Sequence, residues 1–194
     1  FVIRATPLPQ KLEKMTQVFS MIFKKPQDIT ELVAYLSIDK NIVMLLNSLM
    51  PQFSSLKKLR INTVGPGLKR DCLNDFAENL LLLAPQLEDL YLNLTGSNFP
   101  VKKLSFSMPK MTKFHLSVKK MAEFNDELLS EIIDSLPVLM PNVQDFSIDV
   151  SKTKVSSVCV TSLREKTVHI PTFSIQYLVP DSQPRQSRVL DSDV

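Results

Sequence analysis

The chain has 194 residues, of which 44% are hydrophobic and 22% are charged, and its formal net charge is +3. These proportions are typical of a soluble globular protein with one sizeable core, and so small a charge does not by itself indicate a nucleic-acid-binding protein. No run of about 18 apolar residues occurs, so the sequence predicts no membrane-spanning helix.

Glycine is rare and proline is common, with 3 and 13 residues respectively. Few positions can therefore adopt a positive φ angle without strain, and we expect tight hairpins to be rare. Parallel strands that are joined by helical connections need no such turns.

A strand pattern recurs six times along the chain. In its clearest copy, Leu87, Leu90, Leu92 and Leu94 are spaced by three, two and two residues, and the last three alternate with polar residues, as in a strand buried on one face. The predicted strands span 29–38, 56–64, 87–95, 111–118, 143–150 and about 168–177. Their starts recur every 24 to 32 residues, which indicates a solenoid.

The segments between the strands predict the return connections. Apolar residues at helical spacing predict a helix at 11–24, before the first strand, and further helices after the first, second and fourth strands. Residues 96–110 are predicted to form an irregular return, and 151–165 are polar, with Val158 and Val160 as their best apolar positions. The residues that can cap the three later helices are Asp39, Asp71, and Asn125 or Asp126.

The ends of the chain and its cysteines suggest its organisation. The chain begins with Phe1, which indicates either a processed chain or, as we expect, a fragment of a longer protein. We predict a single irregular repeat domain at 1–178 and a mobile polar tail at 179–194. Cys72 and Cys159 lie 87 residues apart, which favours two separate thiols over a disulfide. A glycosylation acceptor at 93–95 falls inside the third strand, which favours an intracellular chain.

The motif Leu87-x-x-Leu90-x-Leu92 resembles the core of a leucine-rich repeat. With long helical returns, the chain is similar to the ribonuclease-inhibitor-like subclass, which includes the repeat domains of F-box proteins, over roughly 26–178. The resemblance implies an α/β fold: a right-handed leucine-rich-repeat solenoid, with a parallel sheet of about six strands and helices on its outer face. The family usually places Asn or Cys three residues after the second strand leucine, but this chain has Val64, Thr95, Lys119 and Ser151 there, which indicates an irregular array.

If the strand leucines point into the core, the alternate residues form three rows across the open, concave face of the sheet. The charges of the first row alternate in sign over five strands, which predicts either a ladder that fixes the strand register or a binding surface. From the first strand to the sixth, the first row is Glu31, Lys58, Asp89, Lys113, Asp145 and Thr172; the second is Val33, Arg60, Tyr91, His115, Ser147 and Ser174; the third is Tyr35, Asn62, Asn93, Ser117, Asp149 and Gln176.

The second row contains Arg and Tyr, which are enriched where protein interfaces bind most strongly. Arg offers a planar set of donors, and Tyr offers a rigid amphipathic ring. We therefore predict a protein-binding surface formed by Lys58, Arg60, Tyr91, His115 and Lys113.

Catalytic and metal chemistry have little support in the sequence. His115 and His169 are the only histidines, and a triad of Ser117, His115 and Asp145 would need an arrangement that no motif indicates. The sequence has neither metal-ligand spacing nor a phosphate-binding loop. We expect no catalytic residue, no metal and no cofactor, and so a protein that is not an enzyme.

The leading functional hypothesis is a non-catalytic protein–protein recognition module that uses the concave face. The resemblance implies the substrate-selecting part of a ubiquitin-ligase adaptor in the cytoplasm or nucleus. No F-box is evident in the chain, so any F-box, and the cullin-type ligase subunits that it would bind, would require a segment upstream of Phe1. The tail 192–194 resembles a ligand for a PDZ domain, provided that Val194 is the natural end.

The alternative hypothesis is a nucleic-acid-associated scaffold that uses pairs of basic residues. These pairs fall at different places in the repeat, and acidic residues lie between them, so a solvated surface is the simpler interpretation. The pairs are Lys57-Lys58, Lys69-Arg70, Lys102-Lys103 and Lys119-Lys120.

Overall fold

In the part of the chain that the structure describes, seven parallel strands lie side by side in the order in which they occur in the sequence. The computed structural model describes residues 2–5, 25–37, 40–64, 70–104, 106–178 and 188–189. An eighth strand pairs antiparallel with the seventh. The strands are β1 (Val2–Ala5), β2 (Glu31–Ser37), β3 (Lys58–Val64), β4 (Asp89–Asn93), β5 (Lys113–Ser117), β6 (Asp145–Asp149), β7 (Thr172–Tyr177) and β8 (Arg188–Val189).

The six predicted strands correspond to β2 through β7, and their prediction as neighbours in one parallel sheet is confirmed. The α/β class is likewise confirmed. The strand β1 was not predicted, nor was β8, which lies in the segment predicted to be a tail. The predicted helix at 11–24 and the predicted cap Asp39 lie outside the described residues.

Four α-helices and four short 3-10 helices connect the strands in the described part of the chain. The α-helices are α1 (Lys40–Leu49), α2 (Arg70–Leu83), α3 (Asp126–Leu139) and α4 (Ser157–Lys166). The 3-10 helices span Pro26–Asp28, Met50–Gln52, Ala84–Gln86 and Val101–Leu104, and the last of these lies in the segment predicted to be irregular. No described helix has the length and apolar character needed to cross a bilayer.

The predictions for the helix starts had mixed outcomes. Asn125 caps α3 as predicted, since its side chain accepts a hydrogen bond from the backbone N–H of Leu128. The prediction that Asp71 caps α2 is wrong, because the helix begins at Arg70 and Asp71 lies in its first turn, where its negative charge still favours the helix dipole.

The helix α4 was missed in a segment that was judged only to be polar. Ser156 caps it, accepting a hydrogen bond from the N–H of Cys159. Its buried apolar residues include Val160 and Leu163, whereas Val158 is 78% exposed. So narrow a stripe gives little helical periodicity for a sequence pattern to detect.

The inward residues of the strands and the helical stripes form one hydrophobic core. Equivalent core positions lie in register from strand to strand, and the rings of Phe114, Phe146 and Phe173 stack with centroids 5.5 and 5.7 Å apart. Leu90 and Leu92 have no exposed surface. Burying a leucine side chain contributes about 1.5–3 kcal/mol, so this row supplies much of the stability of the sheet.

Replacing Leu92 with Ala should therefore lower the free energy of unfolding by about 2–5 kcal/mol, as at other buried leucines. The measurement is chemical denaturation monitored by circular dichroism. Leu82→Ala is the matched control, because Leu82 is 64% exposed on α2 and its loss should cost less than about 0.5 kcal/mol. Equal effects at the two leucines would contradict the inward orientation of Leu92.

A second repeated feature appears three residues after each of three central strands. At these positions Gly96, Lys120 and Lys152 have positive φ angles of 66°, 61° and 61°. Their N–H groups donate to the carbonyl oxygens of Lys119, Ser151 and Leu178 in the following connection. The left-handed conformation thus extends the hydrogen bonding between neighbouring units beyond the strands.

L-residues in this conformation are strained by about 1–2 kcal/mol. The stability of a variant at Lys120 should therefore depend on how well the new residue tolerates a positive φ. Lys120→Val should be less stable than Lys120→Gly by about 1–2 kcal/mol, measured by thermal or chemical unfolding. Lys110 is exposed in a turn without a positive φ, so the same pair of substitutions there should show no such preference for glycine. A Lys120→Val variant as stable as Lys120→Gly would contradict the strained backbone.

Candidate protein-recognition surface

The three predicted rows are aligned in the sheet as expected. The paired residues are Glu31, Lys58, Asp89, Lys113, Asp145 and Thr172 in the first row. In the second row Val33, Arg60, Tyr91, His115, Ser147 and Ser174 are paired in the same way. Strict alternation of buried and exposed residues allows only this register, since a shift by one residue would turn the leucines to solvent.

In the first row, Lys58 and Lys113 flank Asp89 on the neighbouring strands, and both lysines are exposed. The carboxylate of Asp89 pairs instead with Arg60 of the second row, where Nη2 and Oδ2 lie 3.5 Å apart. Neither lysine forms an ion pair within the described part of the chain. The charges therefore alternate in sign along the first row, whereas the ion pair of Asp89 is formed with a residue of the second row.

In the second row, Tyr91 and His115 form a stacked pair on neighbouring strands. Their ring centroids lie 4.2 Å apart and their planes differ by 4°. His115 Nδ1 is in turn hydrogen-bonded to Ser147 Oγ on the next strand. Both rings are half-buried, whereas Arg60 on the adjacent strand is exposed. The row thus presents a rigid aromatic surface beside a cation.

Burial lowers the pKa of His115 below its ordinary value of 6.5, and the carboxylates of Asp149 and Asp145 oppose this in part. The folded chain therefore binds this proton less readily than the unfolded chain does. Well above pH 6.5 the imidazole is neutral in both states. As the pH falls below 6.5, the unfolded state gains a proton first, and the folded state is destabilised.

We expect the unfolding free energy of the wild-type chain to fall more steeply below pH 6.5 than that of a His115→Gln variant. The measurement is denaturant unfolding at a series of pH values between about 7.5 and 5, the range in which histidines titrate. His169→Gln is the control, because it removes an exposed histidine from a turn. Parallel curves for the wild type and His115→Gln would contradict the burial effect.

Next to this pair lies a shallow cleft of about 260 Å³. Its lining residues come from β2, β3 and β4 and are Val33, Ala34, Arg60, Ile61, Asn62 and Tyr91. The oxygen Oδ1 of Asn62 is buried, and no described residue gives it a hydrogen bond. The sequence placed Asn62 in a polar row but gave no sign that this oxygen would be unpaired.

In the third row, Asn93 and Asp149 accept hydrogen bonds from residues that lie just after their own strands. Oδ1 of Asn93 accepts hydrogen bonds from both the N–H and the hydroxyl of Thr95, at 3.1 and 2.6 Å. Oδ1 of the buried Asp149 accepts one from the N–H of Ser151 at 2.9 Å. These polar groups stabilise the turns that leave the sheet, so they are less available to a partner than the sequence suggested.

The other chemical possibilities raised by the sequence gain no support from these contacts. The hydroxyl of Ser117 lies 3.3 Å from that of Thr95, while His115 contacts Ser147. Among the described residues, no three His, Cys, Asp or Glu side chains lie together as the ligands of a metal ion would. Cys159 is a free thiol, and burial raises its pKa; the Cys72 side chain lies outside the described part.

Among the basic pairs, two lysines are already bound to carboxylates. Lys57 lies 3.0 Å from Glu88, and Lys103 lies 2.9 Å from Glu78. Surface ion pairs of this kind contribute little stability, but they reduce the positive potential that a phosphate would meet.

Comparison with known proteins does not assign the chain to a family. No protein-family model matches the chain, and no curated protein matches it. The residues on the open face of the sheet, chiefly Arg60, Tyr91 and His115, are therefore the basis for a functional proposal.

Proposed function

We propose that the chain is a right-handed leucine-rich-repeat solenoid, similar to the ribonuclease-inhibitor-like subclass. The strand order supports this, because each parallel strand pairs with the next one in sequence after a helical or 3-10 return. The recurrent positive φ angles after β4, β5 and β6 support it as well. Right-handed crossovers are by far the commoner connection between parallel strands.

The function that we propose is protein–protein recognition by the open face of the sheet, without catalysis. The observation that carries this proposal is the stacked pair of Tyr91 and His115 beside the exposed Arg60. A ring that is already held in place loses little conformational entropy on binding. Lys58 and Lys113 flank this group and would act mainly on the rate of association with an acidic partner.

The finer proposal is that the partner is a substrate of a ubiquitin ligase and that the protein is an intracellular adaptor. This extension rests on the resemblance to the repeat regions of F-box proteins, which is an argument by analogy. In such an adaptor an F-box separate from the repeats binds the cullin-type subunits, and the concave face selects the substrate.

The test is affinity purification of the full chain with mass spectrometry, comparing the wild type with a triple variant, Arg60→Ala, Tyr91→Ala and His115→Ala. We expect the triple variant to lose at least one partner, because alanine at a true anchor residue costs about 2 kcal/mol or more. The recovered partner should then bind the purified wild-type chain directly.

The matched control is a triple alanine variant on the helices, at Leu82, Val138 and Val158, which are 64%, 78% and 78% exposed. This control should keep the partners that the first variant loses. Circular dichroism and denaturant unfolding must show that both variants are folded, because the stacked rings also support their own strands.

Three results would change the proposal. Equal recovery of every partner by both triple variants would move the recognition surface away from the open face. Cullin-type subunits that bind independently of the three residues would favour the adaptor. Recovery of nucleic acid alone, released as the salt concentration rises, would favour the alternative scaffold.

A further inference from the structure

The outer edge of β7 has backbone groups that no strand covers in the described part of the chain. On its inner side β7 pairs with β6, where the N–H of Thr172 and the carbonyl oxygen of Gln176 form hydrogen bonds. Successive residues of a strand direct these groups to opposite sides, so Phe173 and Ile175 direct theirs to the outer edge. There β8 is paired only with Gln176 and Tyr177. The N–H and C=O groups of Phe173 and Ile175 are therefore available to a further strand.

The composition of β7 is unusual for a strand at the edge of a sheet. Thr172–Tyr177 contains no charged residue, proline or glycine, and four of its six residues are of types that favour strands. Every other parallel strand contains at least one charged residue, and the alternating charges of the first row end at Thr172. Edge strands commonly carry charges that prevent their pairing with another chain. Because β7 has none, its edge favours pairing.

Two exposed apolar side chains lie at opposite ends of β7. Val168 is 85% exposed just before the strand, and Leu178 is 40% exposed just after it. When two copies of a strand pair antiparallel, the start of each lies beside the end of the other. Such pairing would bring Val168 of one copy towards Leu178 of the other, and burial of their apolar surface would favour it. A second copy of the chain therefore complements this edge along its whole length.

We propose that the edge of β7 is a self-association surface, on which a second copy of the chain pairs its own β7 antiparallel about a two-fold axis at Ser174. The pairing of β8 shows that this edge accepts an antiparallel strand. In the proposed register, Phe173 of each copy faces Ile175 of the other, so core-facing residues meet and their outward N–H and C=O groups are paired. A two-fold contact uses the same patch on both copies, so the assembly closes as a dimer.

The position of the axis follows from the alternation of β7 and from its pairing with β8. Residues of the same face lie opposite each other only if the axis passes between two copies of one residue. Of the two residues in the middle of the strand, Ser174 requires β8 to be displaced only at Gln176, whereas Ile175 requires this at Tyr177 as well. The second copy and β8 therefore compete for Gln176, and β8 is only 2 residues long.

The test is sedimentation equilibrium of the full chain over a range of concentrations, which measures the dissociation constant of a dimer. We expect a reversible dimer with twice the 22.0 kDa mass of one chain. Ser174→Lys and Ser174→Asp should each weaken dimerisation about fivefold or more, because each places like charges opposite each other. An equimolar mixture of the two variants should recover the dimer, because opposite charges then meet.

Two further sets of variants separate pairing from folding. Ser54→Lys and Ser54→Asp are the matched controls, because Ser54 is exposed in the turn before β3, and they should leave the dissociation constant unchanged. Circular dichroism and denaturant unfolding must show that the Ser174 variants are folded. Arg188→Pro leaves β7 intact and should tighten the dimer, since proline at the residue paired with Tyr177 cannot donate a backbone hydrogen bond and so weakens β8.

A chain that stays monomeric at every concentration, or a dimer that Ser174→Lys leaves unchanged, would overturn the inference. Assemblies larger than a dimer, or no recovery in the mixture, would overturn the two-fold pairing at Ser174. Weaker dimerisation of Arg188→Pro would overturn the competition with β8. The inference is independent of recognition by the open face, so the triple variant of Arg60, Tyr91 and His115 should dimerise as the wild type does.

Discussion

The structure depends above all on the burial of one face of a parallel sheet. Leu32, Leu59, Leu90 and their successors occupy equivalent positions in adjacent strands and are shielded from water. Because side chains alternate between faces, burying these leucines determines which residues face outward on every strand. The open-face rows, the stacked rings and the cleft are all consequences of the same register.

The open face shows how polar residues divide between folding and recognition. Asn93 and Asp149 complete the turns that leave the sheet, so replacing them would act first on stability. Asn62 has no such role within the described chain, and its unpaired oxygen weakens the fold. A polar side chain that lowers the stability of the fold and forms no hydrogen bond to a neighbouring residue is the kind of residue expected at a binding site.

Much of the sheet could be predicted from the sequence, because period-two burial is a local pattern that specifies strands and register together. The caps were less predictable: Asn125 was found, but Asp71 was misplaced by the early start of α2. The helix α4 was missed because its apolar stripe is narrow. Row order predicted that Tyr91 and His115 are neighbours, but the stacking of their rings and the diagonal pair of Arg60 and Asp89 depend on side-chain conformations that the row order does not specify.

The pairing of each strand with its neighbours in sequence also bears on how the chain responds to force. Contacts in this sheet link residues about one repeat apart, so a strand can detach after its neighbour without breaking the rest of the sheet. Tension applied along the strand order would break the hydrogen bonds of one strand pair before those of the next. We therefore expect the sheet to yield to such tension gradually, from one edge towards the other.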